Sequence, residues 1–314
     1  MSAPKGTYRP FRFGAKAQAA TSRSEWVTTC KRIEDLGYIS VQIPDHLTDQ
    51  LGTVPALMAA ADATQTLQVG PLVAAVDFRN PVVFAKEAAT IDLLSDGRFI
   101  MGIGAGWAAD DYRVGGIAQH DALTRLDRLG EAVQIMRGLW EPEPFSFDGK
   151  HLSSGETVGM PRPARRIPLL IGGGGRKVLT LAAQHADIIS INPLVVNRKF
   201  DSASLATATS DLVDERMQWV ADAAGDRFAE LDFQMHVFSA VVTDDREGAA
   251  ADVATRMGVA PEDVLSAPYF QIGTVLQIMD DLQAMRERWG ISYVAFQPNA
   301  TEAMAPVVAA LSGT

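Results

Sequence analysis

Short apolar runs alternate along the chain with longer segments in which apolar residues recur at three- and four-residue steps. The short runs are typical of strands, and the longer spacing is typical of amphipathic helices. In residues 124–140, for example, Leu126, Leu129, Val133 and Met136 would share one helix face. The pattern predicts strands at 11–17, 38–43, 67–75, 98–103, 167–171, 186–191, 233–242 and 291–297. It predicts helices at 24–36, 55–64, 80–94, 124–140, 176–185, 207–223, 245–258, 273–289 and 303–312.

This alternation predicts an α/β fold, specifically a parallel (β/α)8 TIM barrel. Parallel strands need crossover connections, and the predicted helices supply them. A barrel of ~250 residues with insertions accounts for the 314 residues as one domain over 1–314. The rhythm breaks at 141–166, where residues 145–152 predict a hairpin that turns at Asp148-Gly149. We interpret 141–166 as an insertion in the barrel.

Charge and cysteine content narrow the function classes. The chain has 28 Lys and Arg, 38 Asp and Glu, a net charge of −10 and no long basic run, so no nucleic-acid or anionic-membrane partner is expected. No apolar run approaches the ~18 residues of a membrane span, and the N-terminal residues lack a signal peptide's apolar segment. We therefore expect a cytoplasmic protein. Cys30 leaves no intrachain disulfide and is interpreted as a small core residue.

The active site of a parallel barrel lies at the carboxyl ends of its strands. The predicted strand 98–103 runs into alternating glycines and an indole, at Gly102, Gly104, Gly106 and Trp107. Because glycine has no Cβ, the main chain here can contact a flat ligand; a tight turn without a ligand is the alternative. A dinucleotide-binding G-x-G-x-x-G motif does not fit, since Trp107 stands where the third glycine belongs.

The second predicted strand ends at Asp45 and His46. An imidazole beside a carboxylate can bind the edge of a ligand and transfer a proton near neutral pH. A loop cap, in which Asp45 bonds its own backbone, is the alternative interpretation. We take Asp45 and His46 as the candidate catalytic residues.

The fifth predicted strand ends in the run Gly172–Gly175, directly before a helix that begins with Arg176 and Lys177. Bare backbone amides at a helix N-terminus, with two cations beside them, are typical of an anion site, most simply for a phosphate. A flexible loop without a ligand is the alternative. The run lacks the Gly-Lys-Ser/Thr ending of an ATP-binding P-loop.

Other chemistry has less support. The histidines other than His46 lack metal-ligand spacing, so no metal site is expected. The chain has no Gly-x-Ser-x-Gly elbow, which disfavours a serine hydrolase. Arg162, Arg165 and Arg166 precede the fifth strand, and they are interpreted either as a solvated basic loop or as partners of an anionic tail.

Three stretches of the chain match one known family. The first is 77–98, which runs into the glycines of 102–107; the others are 168–175 and 186–188. These stretches resemble the bacterial-luciferase-like barrel oxidoreductases, which use flavin or the deazaflavin coenzyme F420. The resemblance covers most of residues 11–192, whereas 193–314 match only in outline.

The resemblance implies a luciferase-like TIM barrel with the cofactor ring in its mouth. The ring would lie against residues 72–74, where relatives often have a non-proline cis peptide, and the cofactor phosphate would lie by residues 172–176. The histidine after the second strand would face the deazaflavin. The motifs and the resemblance together indicate these cofactor-binding residues: Asp45, His46, Leu72, Val73, Ala74, Gly104, Ala105, Gly106, Trp107, Gly172, Gly173, Gly174, Gly175 and Arg176.

The resemblance is to the F420-dependent branch above all, which implies hydride transfer between the deazaflavin and a small organic substrate with a C=C, C=N or C=O bond. An FMN-dependent monooxygenase is the alternative, and a non-catalytic flavin-binding protein is a further one. Sugar-phosphate dehydrogenases of the family carry a catalytic glutamate where this chain has Trp107, so their substrate class is not implied. The expected partners are a small-molecule substrate and a second copy of the chain in a homodimer.

Overall fold

Strands and helices alternate through the computed structural model, which describes residues 8–196 and 201–314. Its strands are β1 Arg12–Lys16, β2 Ser40–Ile43, β3 Gln68–Pro71, β4 Ala74–Ala75, β5 Met101–Gly104, β6 Phe145–Asp148, β7 Ser153–Thr157, β8 Leu169–Gly173, β9 Ile188–Ile191, β10 Asp232–His236, β11 Ser239–Val242, β12 Phe270–Gly273 and β13 Tyr293–Phe296. Its α-helices are α1 Arg23–Asp35, α2 Thr53–Ala63, α3 Pro81–Leu94, α4 Ala109–Gly115, α5 Ala122–Trp140, α6 Arg176–His185, α7 Ser202–Leu205, α8 Ser210–Ala224, α9 Arg246–Met257, α10 Pro261–Ser266, α11 Val275–Trp289 and α12 Ala305–Leu311.

The central sheet of the described chain has nine parallel strands in the order β3-β2-β1-β13-β10-β9-β8-β5-β4. Only Leu72 and Val73 separate β3 from β4, so the two are halves of one interrupted strand and the nine strands occupy eight positions. The Val69 amide donates to the Arg98 carbonyl (2.9 Å), and the Ile100 amide donates to the Val69 carbonyl (3.0 Å). These bonds bring β3 back to the β5 side and close the ring. The predicted (β/α)8 TIM barrel is confirmed.

Two of the predicted strands are each divided in the structure. The strand expected at 67–75 is interrupted at the Leu72–Val73 peptide bond, which is cis and lies where the family resemblance implies such a bond. The strand expected at 233–242 is β10, which stays in the barrel, followed by β11, which pairs in parallel with β12 outside it. The sequence did not predict β12. It also missed the short helices α4, α7 and α10, because a helix of four to seven residues is too short to show a clear periodic pattern.

Apolar side chains fill the space between the barrel and its helices. The rings of Phe13 and Phe296, on neighbouring strands, stack with centroids 6.0 Å apart. The indole of Trp26 on α1 donates to the Ala56 carbonyl on α2 (3.1 Å). Cys30 is fully buried on α1, and burial raises the pKa of its thiol to about 12. Cys30 is therefore an unreactive core residue, as predicted.

Polar side chains occupy the inside of the barrel below the strand ends. The hydroxyl groups of Ser40 and Tyr293 lie 2.6 Å apart, and the Gln234 amide donates to the side-chain oxygen of Gln42 (3.1 Å). All four residues are buried, so these bonds satisfy groups that water cannot reach. They form a polar floor beneath the mouth of the barrel.

The segment 141–166 contains the predicted hairpin, in which β6 and β7 pair antiparallel. The carboxylate of Glu131 on α5 accepts hydrogen bonds from the backbone amides of Lys150, His151 and Leu152 (2.6–3.2 Å). One carboxylate thus satisfies the amides that follow the hairpin turn and ties the hairpin to α5. The hairpin packs on the outside of the barrel, away from the strand ends.

Glycines allow the backbones to touch where the ring closes. A Cβ on Gly102 would lie 2.0 Å from the carbonyl oxygen of Pro71, and one on Gly70 would lie 2.2 Å from that of Ile100. Side chains do not tolerate contacts so short in a packed interior, so only glycine fits at either position. The expectation that Gly102 opens the backbone to a ligand is wrong, because this residue faces the neighbouring strand.

We expect Gly102→Ala to lower the free energy of unfolding by about 1–3 kcal/mol, the usual cost of overpacking a core. Gly155→Ala in β7 is the matched control, because a Cβ there would have nothing within 4 Å. Urea unfolding followed by circular dichroism measures both variants. Identical midpoints for Gly102→Ala and the wild-type protein would show that the two backbones separate without cost.

Candidate active site

A cavity of about 810 Å³ opens at the carboxyl ends of the barrel strands. Residues at or directly after β1, β2, β4, β5, β8, β9, β10 and β13 form its wall. All the residues that the sequence indicates as catalytic or cofactor-binding lie on this wall: Asp45, His46, Leu72, Val73, Ala74, Gly104, Ala105, Gly106, Trp107, Gly172, Gly173, Gly174, Gly175 and Arg176. Motifs that are far apart in the sequence therefore meet around one space.

The carboxylate of Asp45 is buried and joins several elements. Arg79 donates to both of its oxygens, at 2.6 Å and 2.8 Å. The Ala75 amide donates to Oδ2 (3.0 Å), and the Thr53 hydroxyl donates to Oδ1 (2.8 Å). Because both oxygens are bonded, this carboxylate holds the ends of β2 and β4 together.

His46 is paired with a carboxylate that the sequence analysis did not single out. Its Nδ1 lies 2.7 Å from Oδ2 of Asp111, a buried residue of α4. Oδ1 of Asp111 accepts a hydrogen bond from the Leu47 amide (2.9 Å), which fixes the carboxylate. A carboxylate at Nδ1 favours the tautomer with a proton there and leaves Nε2 free to exchange a proton with a ligand. The edge of the imidazole meets the Trp107 ring, with centroids 5.7 Å apart at 88°.

The end of β5 packs closely beneath the cavity. A Cβ on Gly104 would lie 2.8 Å from a methyl carbon of Val73. Gly106 has a φ of +72°, and a Cβ there would lie 2.2 Å from the hydroxyl oxygen of Tyr112. Both glycines are thus required by packing, while their backbone still forms part of the wall. Trp107 follows them at the rim, where 39% of its surface stays exposed.

The residues Gly172–Gly175, here called the glycine loop, lead from β8 into α6. Gly175 is the N-cap of α6 and supplies no side-chain cap, so the first-turn amides remain available. A Cβ on Gly174 would lie 2.4 Å from the Asn192 carbonyl oxygen, so that glycine is needed for packing. Within the described residues, the exposed side chains of Arg176 and Lys177 form no ion pair.

A buried arginine lies behind the glycine loop. Nε of Arg216 on α8 donates to the Gly174 carbonyl (3.0 Å), while Nη1 is buried and has no hydrogen-bond partner among residues 8–196 and 201–314. Burial lowers the pKa of this guanidinium, which nevertheless stays charged at neutral pH. Arg216 therefore holds the loop backbone in place and adds a fixed positive charge behind the glycine loop.

The basic residues before β8 lie away from the glycine loop. Arg162 donates to the carbonyls of residues 141 and 142, and Arg165 donates to the Gly97 carbonyl. Arg166 pairs with Asp187 (2.6 Å). The whole of β8 separates these arginines from the loop that follows it, so the interpretation that they receive an anionic tail at the loop is wrong.

Two cavity residues carry strongly shifted pKa values. Lys16 ends β1, and burial lowers the pKa of its ammonium to about 8. No hydrogen bond or ion pair reaches that ammonium from the described chain. His236 ends β10, and burial, together with the charge of Lys16, lowers the pKa of its imidazole well below the usual range. The Nε2 of His236 is buried without a hydrogen-bond partner in the described part of the chain.

Sequence reasoning missed the partners that hold the site residues. Asp111 follows Asp110 in the first turn of α4, where acidic residues favour a helix start, so a helix signal was present at this position. Arg79 and Arg216 gave no comparable signal, because their pairing with Asp45 and with the Gly174 carbonyl exists only in the folded chain.

The described residues contain neither a metal cluster nor a membrane span. Over 8–196 and 201–314, no group of three or more His, Cys, Asp or Glu side chains is arranged to hold a metal ion. No helix in the same ranges has the length and apolar character needed to cross a bilayer.

Comparison with known proteins finds one family. The luciferase-like monooxygenase family matches residues 5–289. The F420-dependent glucose-6-phosphate dehydrogenase of Intrasporangium calvum is 35% identical over 173 residues, which cover 52% of this chain and 52% of that protein. This chain thus spans about half the length of that relative. The enzyme of the same name from Nakamurella multipartita is 30% identical over 252 residues, 77% of this chain and 71% of that protein.

Solved structures show the same fold. An F420-dependent secondary alcohol dehydrogenase, in complex with an F420-acetone adduct, superposes with a TM-score of 0.77. The superposition covers 96% of this chain and 99% of that one, at 19% sequence identity. At this sequence identity the superposition shows a shared fold alone.

We expect Lys16→Met to stabilise the protein at pH 7, by about 1–3 kcal/mol, because it removes a half-buried ammonium that has no counter-charge. Between pH 8 and about pH 10 the native wild-type protein loses this proton while the unfolded chain keeps it. The stability of the wild-type protein should therefore rise relative to the variant as the pH rises.

Urea unfolding at pH 7 and at about pH 9.5 measures this difference. The exposed Lys31→Met on α1 is the control, and we expect it to change stability by less than about 0.5 kcal/mol. A gap between Lys16→Met and the wild-type protein that stays constant with pH would contradict the burial of an unpaired ammonium.

Proposed function

This chain belongs to the luciferase-like monooxygenase family, and from that premise we propose that it is an oxidoreductase that uses coenzyme F420. It would transfer a hydride between the deazaflavin and a small organic substrate with a C=C, C=N or C=O bond. The names of the relatives support the choice of cofactor. The observation that carries the proposal is the pairing, across one cavity, of the His46–Asp111 dyad with the glycine loop.

The residues present fit such a cofactor. A cavity of about 810 Å³ lies within the range of ligand sites and leaves room for a flat ring and a small substrate. The first-turn amides of α6 can bind a phosphate, since Gly175 offers them no side-chain cap. Arg176 and Lys177 stand beside that position and can receive an acidic tail, on a protein whose net charge is −10.

His46 would move the proton that accompanies hydride transfer. When bound, the deazaflavin supplies a hydride carrier that reacts poorly with oxygen. His46 holds one proton at Nδ1 against Asp111, so Nε2 accepts a proton during substrate oxidation and returns it during reduction. Asp111 stabilises the imidazolium formed in this exchange and keeps the ring oriented. Trp107 limits water at the same rim.

Asp45 would act through the shape of the site. Its bonds to Arg79 and to the Ala75 amide hold β4 and the preceding residues 72–73 against the end of β2. In this arrangement Leu72, Val73 and Ala74 form an apolar part of the cavity wall, on which a flat ring can rest. Asp45 is thus a positioning residue in this proposal.

The substrate would differ from that of the sugar-phosphate dehydrogenases. Trp107 stands where those family members carry a catalytic glutamate, and an indole can neither take a proton from a sugar hydroxyl nor carry charge. The ring instead offers an apolar surface beside His46. A mid-sized, partly apolar substrate suits this environment.

We expect reduced F420 to bind more tightly than reduced FMN. We also expect F420 binding to weaken severalfold when the salt concentration is raised from about 0.05 M to about 0.5 M. The reason is that the cations that would meet the acidic tail are exposed and therefore screened by salt. Fluorescence titration at the two salt concentrations measures both effects. Tight FMN binding without F420 binding, together with substrate-dependent oxygen uptake, would overturn the proposal in favour of a flavin monooxygenase.

The matched variants for this titration are Gly175→Asp and Gly175→Ser. A Cβ on Gly175 would meet only a methyl carbon of Leu194, at 3.4 Å, and the backbone there is ordinary, so both variants should fold. Asp and Ser are both good N-caps, but only Asp repels an anion. Gly175→Asp should weaken F420 binding more than Gly175→Ser does; equal affinities would move the phosphate away from α6.

We expect His46→Ala to lower turnover by roughly 10²–10⁴-fold, the range of a general acid–base group, with a much smaller change in F420 affinity. Turnover is measured with the best substrate from a panel of enones, imines and ketones. Asp111→Asn is the companion variant and should lower turnover less, because the imidazole remains. Weakened F420 binding with near-normal turnover at saturating F420 would make His46 a cofactor-positioning residue.

A further inference from the structure

Three polar residues lie on one side of the cavity and have no role in the proposed binding of the cofactor: Lys16, His236 and Gln297. We call them the far wall. They lie at or directly after the ends of β1, β10 and β13, which are neighbours in the order β1-β13-β10. The position of β10 is four places from that of β3 and β4 in either direction round the ring. His236 therefore lies on the side of the barrel opposite Leu72–Ala74, while Gln297, directly after β13, is three strand positions from them and Lys16 on β1 is two.

The strand register puts the far-wall side chains on the same face of the sheet. Ala15 pairs with Phe296, so Lys16 stands level with Gln297 one residue further on. His236 pairs with Ala295, which is two residues before Gln297 and so shares its face. All three side chains point into the barrel, above the polar floor formed by Gln42 and Gln234.

The far wall offers more donors than the chain itself satisfies. Neither the Lys16 ammonium nor the Gln297 side-chain amide has a hydrogen-bond partner within the described chain, and the Nε2 of His236 is buried without one. A half-buried charge without a counter-charge is costly unless a ligand compensates it, and this one faces the open cavity. The missing group is therefore an anion or a strong hydrogen-bond acceptor.

We propose that the far wall binds the carboxylate of a substrate, with Lys16 as its counter-ion and Gln297 and His236 as hydrogen-bond partners. This inference rests on the proposed function, because the cofactor would occupy the opposite side of the cavity. The substrate class becomes small organic acids with a reducible bond between the carboxylate and an apolar body.

A carboxylate fits the far wall better than a phosphate does. Lys16 is its single cation, since burial keeps His236 neutral, so the wall balances one negative charge. The face of Phe238 lies beside His236, with ring centroids 5.2 Å apart, and offers an apolar surface next to the polar groups. An unsaturated acid with an apolar end matches this arrangement of charge and surface.

Lys16 is the group whose charge governs carboxylate binding, because the neighbouring ionisable groups are either paired or uncharged. On the β2 side, Asp45 is paired with Arg79, and His46 with Asp111. On the β13 side Gln297 carries no charge, and on the β10 side stands His236. Because burial lowers the pKa of Lys16 to about 8, the binding of a carboxylate should weaken as the pH rises from 7 to about 9.5.

Isothermal titration with trans-cinnamate and with its uncharged amide tests the proposal, using the full-length chain with and without F420. We expect cinnamate to bind about tenfold or more tightly than cinnamamide, a preference that Lys16→Met abolishes and Lys16→Arg partly retains. The exposed Lys31→Met should bind cinnamate as the wild-type protein does. Raising the pH to about 9.5 should weaken cinnamate binding to the wild-type protein and leave Lys16→Met unchanged.

Three results would overturn the inference. They are equal affinity for cinnamate and cinnamamide, unchanged cinnamate affinity in Lys16→Met, and inorganic phosphate binding more tightly than cinnamate in a manner that depends on Lys16. Failure of the proposed function would give a different combination of binding results. If F420 does not bind while cinnamate binding still depends on Lys16, the anion site stands and the choice of cofactor falls; if F420 binds and cinnamate does not, the far wall has another role.

Discussion

The whole site depends on backbone contacts at which no side chain fits. Where the barrel closes, the chain around Gly70 and Gly102 comes so near to carbonyl oxygens of the neighbouring strand that a single extra carbon would push the strands apart. Closing the ring is what makes eight strand positions end around one space. Residues on opposite sides of the ring, such as Leu72 and His236, thereby face one cavity. The close backbone contacts at Gly70 and Gly102 therefore help to determine where the site residues meet.

Charge is distributed unevenly between this mouth and the rest of the protein. The chain as a whole is acidic, with a net charge of −10. The acidic groups that face the cavity are already engaged, since Asp45 is bonded to Arg79 and Asp111 to His46. Cations on the wall, such as Arg176 and Lys16, remain without counter-ions in the described chain. Anionic ligands are therefore attracted locally, on an otherwise repulsive surface.

The sequence predicted the fold and the location of the site, but not the site's internal bonding. Alternating strands and helices predicted the barrel because apolar periodicity is a local property. The motifs at His46 and in the glycine loop were predictable for the same reason, because each of them directly follows a strand in the sequence. The pairing of His46 with Asp111 joins residues 65 positions apart, and that of Asp45 with Arg79 joins residues 34 apart. Such bonds depend on the folded path of the chain, so the sequence could name Asp45 and His46 together but could not show that their side chains bond to different partners.

The separation of these two adjacent residues has an evolutionary consequence. Asp45 maintains the scaffold through its bonds to Arg79, Ala75 and Thr53, whereas His46 and Trp107 lie at the rim and carry little of the framework. Substitutions at the rim can therefore change reactivity while the bonds of Asp45 keep the barrel folded. One frame of this kind can carry different chemistries through changes in a few rim residues.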